Sequence, residues 1–70
     1  MLSDAERITM KLDGVHDTAD RRAAAQVLRE LPGVRSVTVR GDAARVTFSP
    51  DKTTVPQMTA ALDRAGYTVI

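Results

Sequence analysis

The run Arg7-Ile8-Thr9-Met10-Lys11-Leu12-Asp13-Gly14-Val15-His16-Asp17-Thr18-Ala19-Asp20 decides the fold, because one periodicity ends inside it and another begins. From Arg7 to Asp13 the side chains alternate. Ile8, Met10 and Leu12 share one face, while Arg7, Thr9, Lys11 and Asp13 share the other, which is the period of a half-buried strand. Beyond Gly14 and Val15 the spacing lengthens. Ala24, Val27, Leu28 and Leu31 recur at intervals of three and four, the apolar stripe of an amphipathic helix, with Arg21, Arg22, Arg29 and Glu30 on other faces. Leu31-Pro32-Gly33 stops that helix, since proline cannot continue the hydrogen-bond ladder and glycine takes the turn.

Alternation returns at Val37 and Val39, with Ser36, Thr38 and Arg40 opposite. It passes through Gly41-Asp42 into Ala44, Val46 and Phe48, with Arg45 and Thr47 opposite. This predicts two antiparallel strands joined by a short turn. Ser49-Pro50-Asp51-Lys52 reads as a loop. Thr54 then opens a second helix with Gln57 three residues on, the spacing of a capping box, and Pro56 sits in the first turn, where a missing N–H is harmless. Met58, Ala61, Leu62 and Ala65 form its stripe, Gly66 ends it, and Tyr67-Thr68-Val69-Ile70 reads as a short last strand. The order strand, helix, strand, strand, helix, strand, with right-handed crossovers, predicts an α+β, ferredoxin-like βαββαβ sandwich. Its four-stranded antiparallel sheet would carry both helices on one face. A single domain is expected over residues 1–70, with a structured core from about residue 7.

Composition narrows the function. Ten Lys and Arg against nine Asp and Glu leave a formal charge of +1, too balanced to advertise a nucleic acid or an anionic membrane as partner. There is no cysteine, which excludes disulfides, thiolate nucleophiles and every metal site built on sulfur anions. The longest apolar run is far short of the roughly 20 residues of a membrane helix. Met1 to Arg7 contain no apolar stretch of the signal-peptide kind. The expectation is therefore a soluble, cytoplasmic and monomeric domain without membrane insertion.

Three segments in this order resemble the heavy-metal-associated domain. They are Leu12-Asp13-Gly14-Val15-His16 before the first helix, Leu31-Pro32-Gly33-Val34-Arg35-Ser36-Val37 after it, and Ala65-Gly66-Tyr67 at the end of the second. That family includes copper chaperones, mercury-binding periplasmic proteins and the N-terminal modules of metal-transporting P-type ATPases. The resemblance covers Ile8 to Ile70 and implies the same fold and a protein partner of the metal-trafficking type. The family motif Gly-Met-x-Cys-x-x-Cys falls on Gly14-Val15-His16-Asp17-Thr18-Ala19-Asp20, so aspartate stands at both cysteine positions. Val15 replaces the methionine that in the family packs beneath the metal loop, and Tyr67 matches an aromatic often found beside it.

Copper(I) and mercury select thiolate, which this sequence lacks. Met1 is terminal, and Met10 and Met58 fall on inward stripes, so the thioethers read as core filler. The plain reading of Asp17 and Asp20 is a helix cap, with Asp17 at the N-cap and Asp20 adding negative charge at the positive end of the dipole. Two functional readings stand beside it. In one, the aspartates preserve the negative charge of the family's thiolates, and the domain docks or regulates without carrying copper(I); no cofactor is required. In the other, His16, Asp17 and Asp20 hold a harder divalent ion such as zinc weakly. A small-molecule-binding regulatory domain of the amino-acid-sensing type is a further alternative, sharing the order of elements. An enzyme is not expected, for the carboxylates sit on a turn and no nucleophile or phosphate loop accompanies them. Nor is nucleic-acid binding, since Phe48 and Tyr67 point inward and leave no aromatic on the open sheet face. Lys11, Arg40 and Arg45 read as a mild basic patch there, and Arg21, Arg22 and Arg29 as solvated or paired with Asp17, Asp20 and Glu30.

Overall fold

Met10 and Leu12 are buried and Thr9 and Lys11 exposed, so the alternation of the first segment is realised as strand β1, Glu6–Asp13. The computed structural model describes residues 5–70, and the readings that fell on Met1 and the other leading residues lie outside the described residues. After β1 come α1 (Thr18–Arg29), β2 (Val34–Arg40), β3 (Ala43–Phe48), α2 (Val55–Arg64) and β4 (Thr68–Val69), the predicted order.

The sheet runs β2-β3-β1-β4, with every neighbouring pair antiparallel. β1 and β2 are therefore parallel and separated by β3, while β3 and β4 are parallel and separated by β1. Each helix crosses over between two such separated strands, and the two βαβ units interleave as a ferredoxin-like sandwich. The register sets Ile8 opposite Val46 and Met10 opposite Ala44 on the core side, and Thr9 opposite Arg45 on the other. Gly41, at φ 59°, makes the two-residue turn between β2 and β3. An irregularity between Val34 and Ser36 leaves Arg35 as an extra residue, and its Nε donates to Ser49 Oγ at 3.1 Å.

One core joins all layers. Phe48, Leu12, Leu28, Met58, Leu62 and Val46 are its largest fully buried side chains. Met10 and Met58 both belong to it, as filler rather than as an exposed thioether pair. Two details of the helical stripes differ from expectation. In α1 the buried residues are Ala24, Ala25 and Leu28, with Val27 and Leu31 packed only at the margin. Ala65 is exposed, because α2 ends at Arg64 and Ala65 is its C-cap, where the chain already turns toward Gly66. The capping box at Thr54 and Gln57 forms as predicted, with Pro56 in the first turn. The last strand is shorter than Tyr67–Ile70: Thr68 and Val69 pair with β1, opposite Asp13 and Leu12, and the Ile70 N–H adds one bond to the Lys11 carbonyl at 2.9 Å. Among the described residues no helix is long and apolar enough to cross a membrane.

Candidate functional site

The segment between β1 and α1 begins at Gly14, whose φ of 98° suits glycine alone. A side-chain carbon there would stand 3.1 Å from the Gly66 carbonyl oxygen and 3.7 Å from the Tyr67 ring. The bare glycine thus lets this loop close onto the turn between α2 and β4. Val15 follows and packs against the core.

Asp17 is the N-cap of α1, with extended backbone, and its Oδ1 accepts the Asp20 N–H at 2.8 Å. Asp20, at the third helical position, reaches back: its Oδ2 accepts the His16 N–H at 3.0 Å. The two aspartates therefore cap reciprocally, as in a capping box displaced by one residue. Asp20 Oδ1 accepts from the Tyr67 hydroxyl at 3.2 Å, a bond between residues 47 apart in sequence. Tyr67 itself is 8% exposed. Burial of its ring, then the negative charge of Asp20, the hydrogen bond to Asp20 and the charge of Asp17 hold its hydroxyl above the ordinary tyrosine value. A phenol in that state remains a donor to carboxylate throughout the neutral range.

The loop brings His16, Asp17 and Asp20 together as neighbours on the chain, but it commits their groups differently. Both oxygens of Asp20 are engaged, one by backbone and one by Tyr67. His16 and Asp17 face solvent. Among the described residues no three His, Cys, Asp or Glu side chains converge so as to hold a metal ion. The α1 arginines, expected to be solvated or paired with acids, form no ion pair among the described residues: Arg22 is exposed, and the other two make contacts of another kind. Arg21 Nη2 donates to Thr18 Oγ1 at 2.9 Å, and Arg29 Nη2 donates to the Val37 carbonyl on the edge strand at 3.2 Å. The single ion pair among the described residues is Lys11–Asp42, at 4.0 Å.

Sequence reasoning placed Asp17 and Asp20 at the helix start and Tyr67 beside the loop, and missed the bond joining them. A signal was present: a tyrosine at an inward phase needs a partner for its hydroxyl, and the carboxylate of the loop it faces supplies one.

Comparison with known proteins agrees with this geometry. The model of the heavy-metal-associated domain matches residues 9–68. A protein of Haemophilus influenzae, described only as uncharacterised, is 33% identical over 61 residues, covering 86% of this chain and 90% of that one. Oxidised MerP from Ralstonia metallidurans has a TM-score of 0.89 at 28% identity, with 94% of each chain covered. The water-soluble region of the P-type ATPase CopA from Bacillus subtilis has a TM-score of 0.92 at 25% identity, covering 100% of this chain and 48% of that one. Fold, loop position and family model agree over nearly the whole sequence, and the chain belongs to the heavy-metal-associated domain family.

Proposed function

We propose that this domain is a docking or regulatory module of the metal-trafficking superfamily that does not carry copper(I). The observation that supports it most is the chemistry of the loop where the family's soft ion is held. In this reading Asp17 and Asp20 take the places of the family's cysteines; the chain has no thiolate anywhere, and both Asp20 oxygens are already hydrogen-bonded. Hard carboxylate oxygen competes poorly for a soft monovalent ion, and the oxygens of Asp20 are already engaged in the fold. What the loop retains is negative charge at an exposed helix start, the feature that a cationic face of a trafficking partner would recognise. No catalytic role is part of this reading.

Competition for copper(I) against a chelating dye tests it. The wild type should hold no more copper(I) than a cysteine-free protein of similar size, while the Asp17→Cys/Asp20→Cys variant should gain retention. Sub-micromolar retention by the wild type would overturn the proposal. Docking is tested with a candidate cationic partner and the Asp17→Asn/Asp20→Asn variant; equal affinity at low salt would reject charge as the basis of recognition. Weak binding of a harder divalent ion such as zinc through His16, Asp17 and Asp20 is a separate proposal. It requires Asp20 to exchange its partners for the ion, so zinc should release Tyr67 and shift its resonances together with those of residues 16–20.

A further inference from the structure

The open face of the sheet, opposite the helices, holds a concavity of about 480 Å³. Besides Ile8 and Val46, its lining among the described residues is of two polar kinds: Arg7, Arg40 and Arg45 bring guanidinium groups, and residues such as Thr9, Ser36 and Thr38 bring hydroxyls. Among the described residues no carboxylate lines it. The basic patch expected from the sequence included Lys11, but Lys11 is turned to Asp42, and Arg7 takes its place.

The register explains the grouping. Arg45 on β3 lies opposite Thr9 on β1 and opposite Thr38 on β2. Arg7 stands two residues from Thr9, and Arg40 two residues from Thr38, in opposite directions along the sheet. Both are thus diagonal neighbours of Arg45, each at about 7–8 Å between backbones. The three arginines form one oblique stripe across three strands, flanked by hydroxyls. None of them has an ion-pair partner among the described residues. Three like charges on a rigid sheet, without an acid among them, repel each other until an anion joins them. Guanidinium groups and hydroxyls are also the donors that phosphoryl oxygens accept from, the former in paired fashion. Nothing on this face favours a base: the two aromatic residues, Phe48 and Tyr67, are buried in the core.

The geometry points to a binding site for a small linear polyphosphate-class anion on the open sheet face, spanning Arg7, Arg45 and Arg40. An anion with more than one phosphoryl group fits best, because Arg7 and Arg40 stand at opposite ends of the diagonal and a linear anion meets all three guanidiniums without drawing them together against their own repulsion. This site is separate from the loop of Asp17 and Asp20 and does not depend on the docking role proposed for it.

Inorganic tripolyphosphate is the probe, followed by amide-resolved NMR at matched ionic strength, with chloride and orthophosphate as comparisons. Saturable shifts centred on Thr9, Thr38 and Arg45 are expected, stronger with tripolyphosphate than with orthophosphate. Arg45→Gln should raise the midpoint at least about fivefold, a loss typical of one charge-assisted contact. Lys11→Gln should leave it within about twofold, because Lys11, though also two residues from Thr9, is turned to Asp42 and does not line the concavity; that variant separates a built site from attraction by net charge. Unchanged spectra of Arg45→Gln in the absence of the anion show that its sheet is intact. Shifts that do not saturate, shifts that chloride reproduces, equal weakening by the two variants, or shifts centred on residues 16–20 would each overturn the assignment.

Discussion

At the scale of single residues, Asp20 is the centre of the loop, for it holds His16, faces Asp17 and receives Tyr67. Tyr67 is the sole tyrosine, so tyrosinate absorbance reports on this contact alone. Its ionisation should occur above the ordinary value in the wild type and move downward in Asp20→Asn, where the charge is removed and the hydrogen bond weakened. The sign for stability follows. The folded chain keeps the phenolic proton to higher pH than the unfolded chain does, so the contribution is complete below the ordinary tyrosine value of 10.0 and is lost as pH climbs through the folded-state value. Urea midpoints should therefore fall in strongly alkaline solution, and the fall should be shallower in Tyr67→Phe. Equal alkaline slopes for the two proteins would contradict this account. The capping roles of Asp17 and Asp20 were legible from residue type and spacing because they are local. The Tyr67 bond was not, because it depends on where the end of α2 comes to rest.

At the scale of elements, the turn between α1 and β2 illustrates how a stop signal becomes a packing requirement. Pro32-Gly33 was readable as the end of a helix. What the sequence concealed is that Gly33, at φ 89°, lies under the loop after β3: a side-chain carbon there would come within 2.5 Å of Lys52 Cβ. The Ser49 N–H donates to the Gly33 carbonyl at 2.8 Å and ties the two segments together. Gly33→Ala should thus cost on the order of 2 kcal/mol, from the left-handed backbone and the displaced loop together. Denaturant unfolding measures it, and a loss below half that value would show that the loop yields freely. Ends of elements were the least legible part for the same reason. Ala65 continues the apolar spacing of α2, yet it falls just past the last turn and is left in solvent. The strand after it is reduced to Thr68 and Val69, opposite Asp13 and Leu12.

At the scale of the molecule, periodicity and chain order were enough to give the βαββαβ architecture, because each strand buries one face and each helix one stripe. Nearly all of the predicted core residues meet in one cluster. Phe48 is the largest of the fully buried side chains and sits where β3 faces both β1 and β2. Phe48→Ala should cost about 3–5 kcal/mol. For a domain of this size, with a total stability of roughly 4–10 kcal/mol, that removes about a third or more of the total, visible as a large drop in the urea midpoint. Retention of a fully cooperative transition near the wild-type midpoint would show that the core is not shared between layers as described. The stripe of arginines was only half legible: alternation put Arg7, Arg40 and Arg45 on one face, but their alignment depends on strand pairing between distant segments.

The interleaved order of the strands also bears on how the chain is made. β1 sits between β3 and β4 but is synthesised before either. A nascent chain leaving the ribosome therefore exposes Ile8, Met10 and Leu12 on a strand with both edges open, until the segments that flank it have emerged. At roughly 5–20 residues per second, that interval lasts several seconds, and the domain closes as one unit only when its final strand clears the exit tunnel.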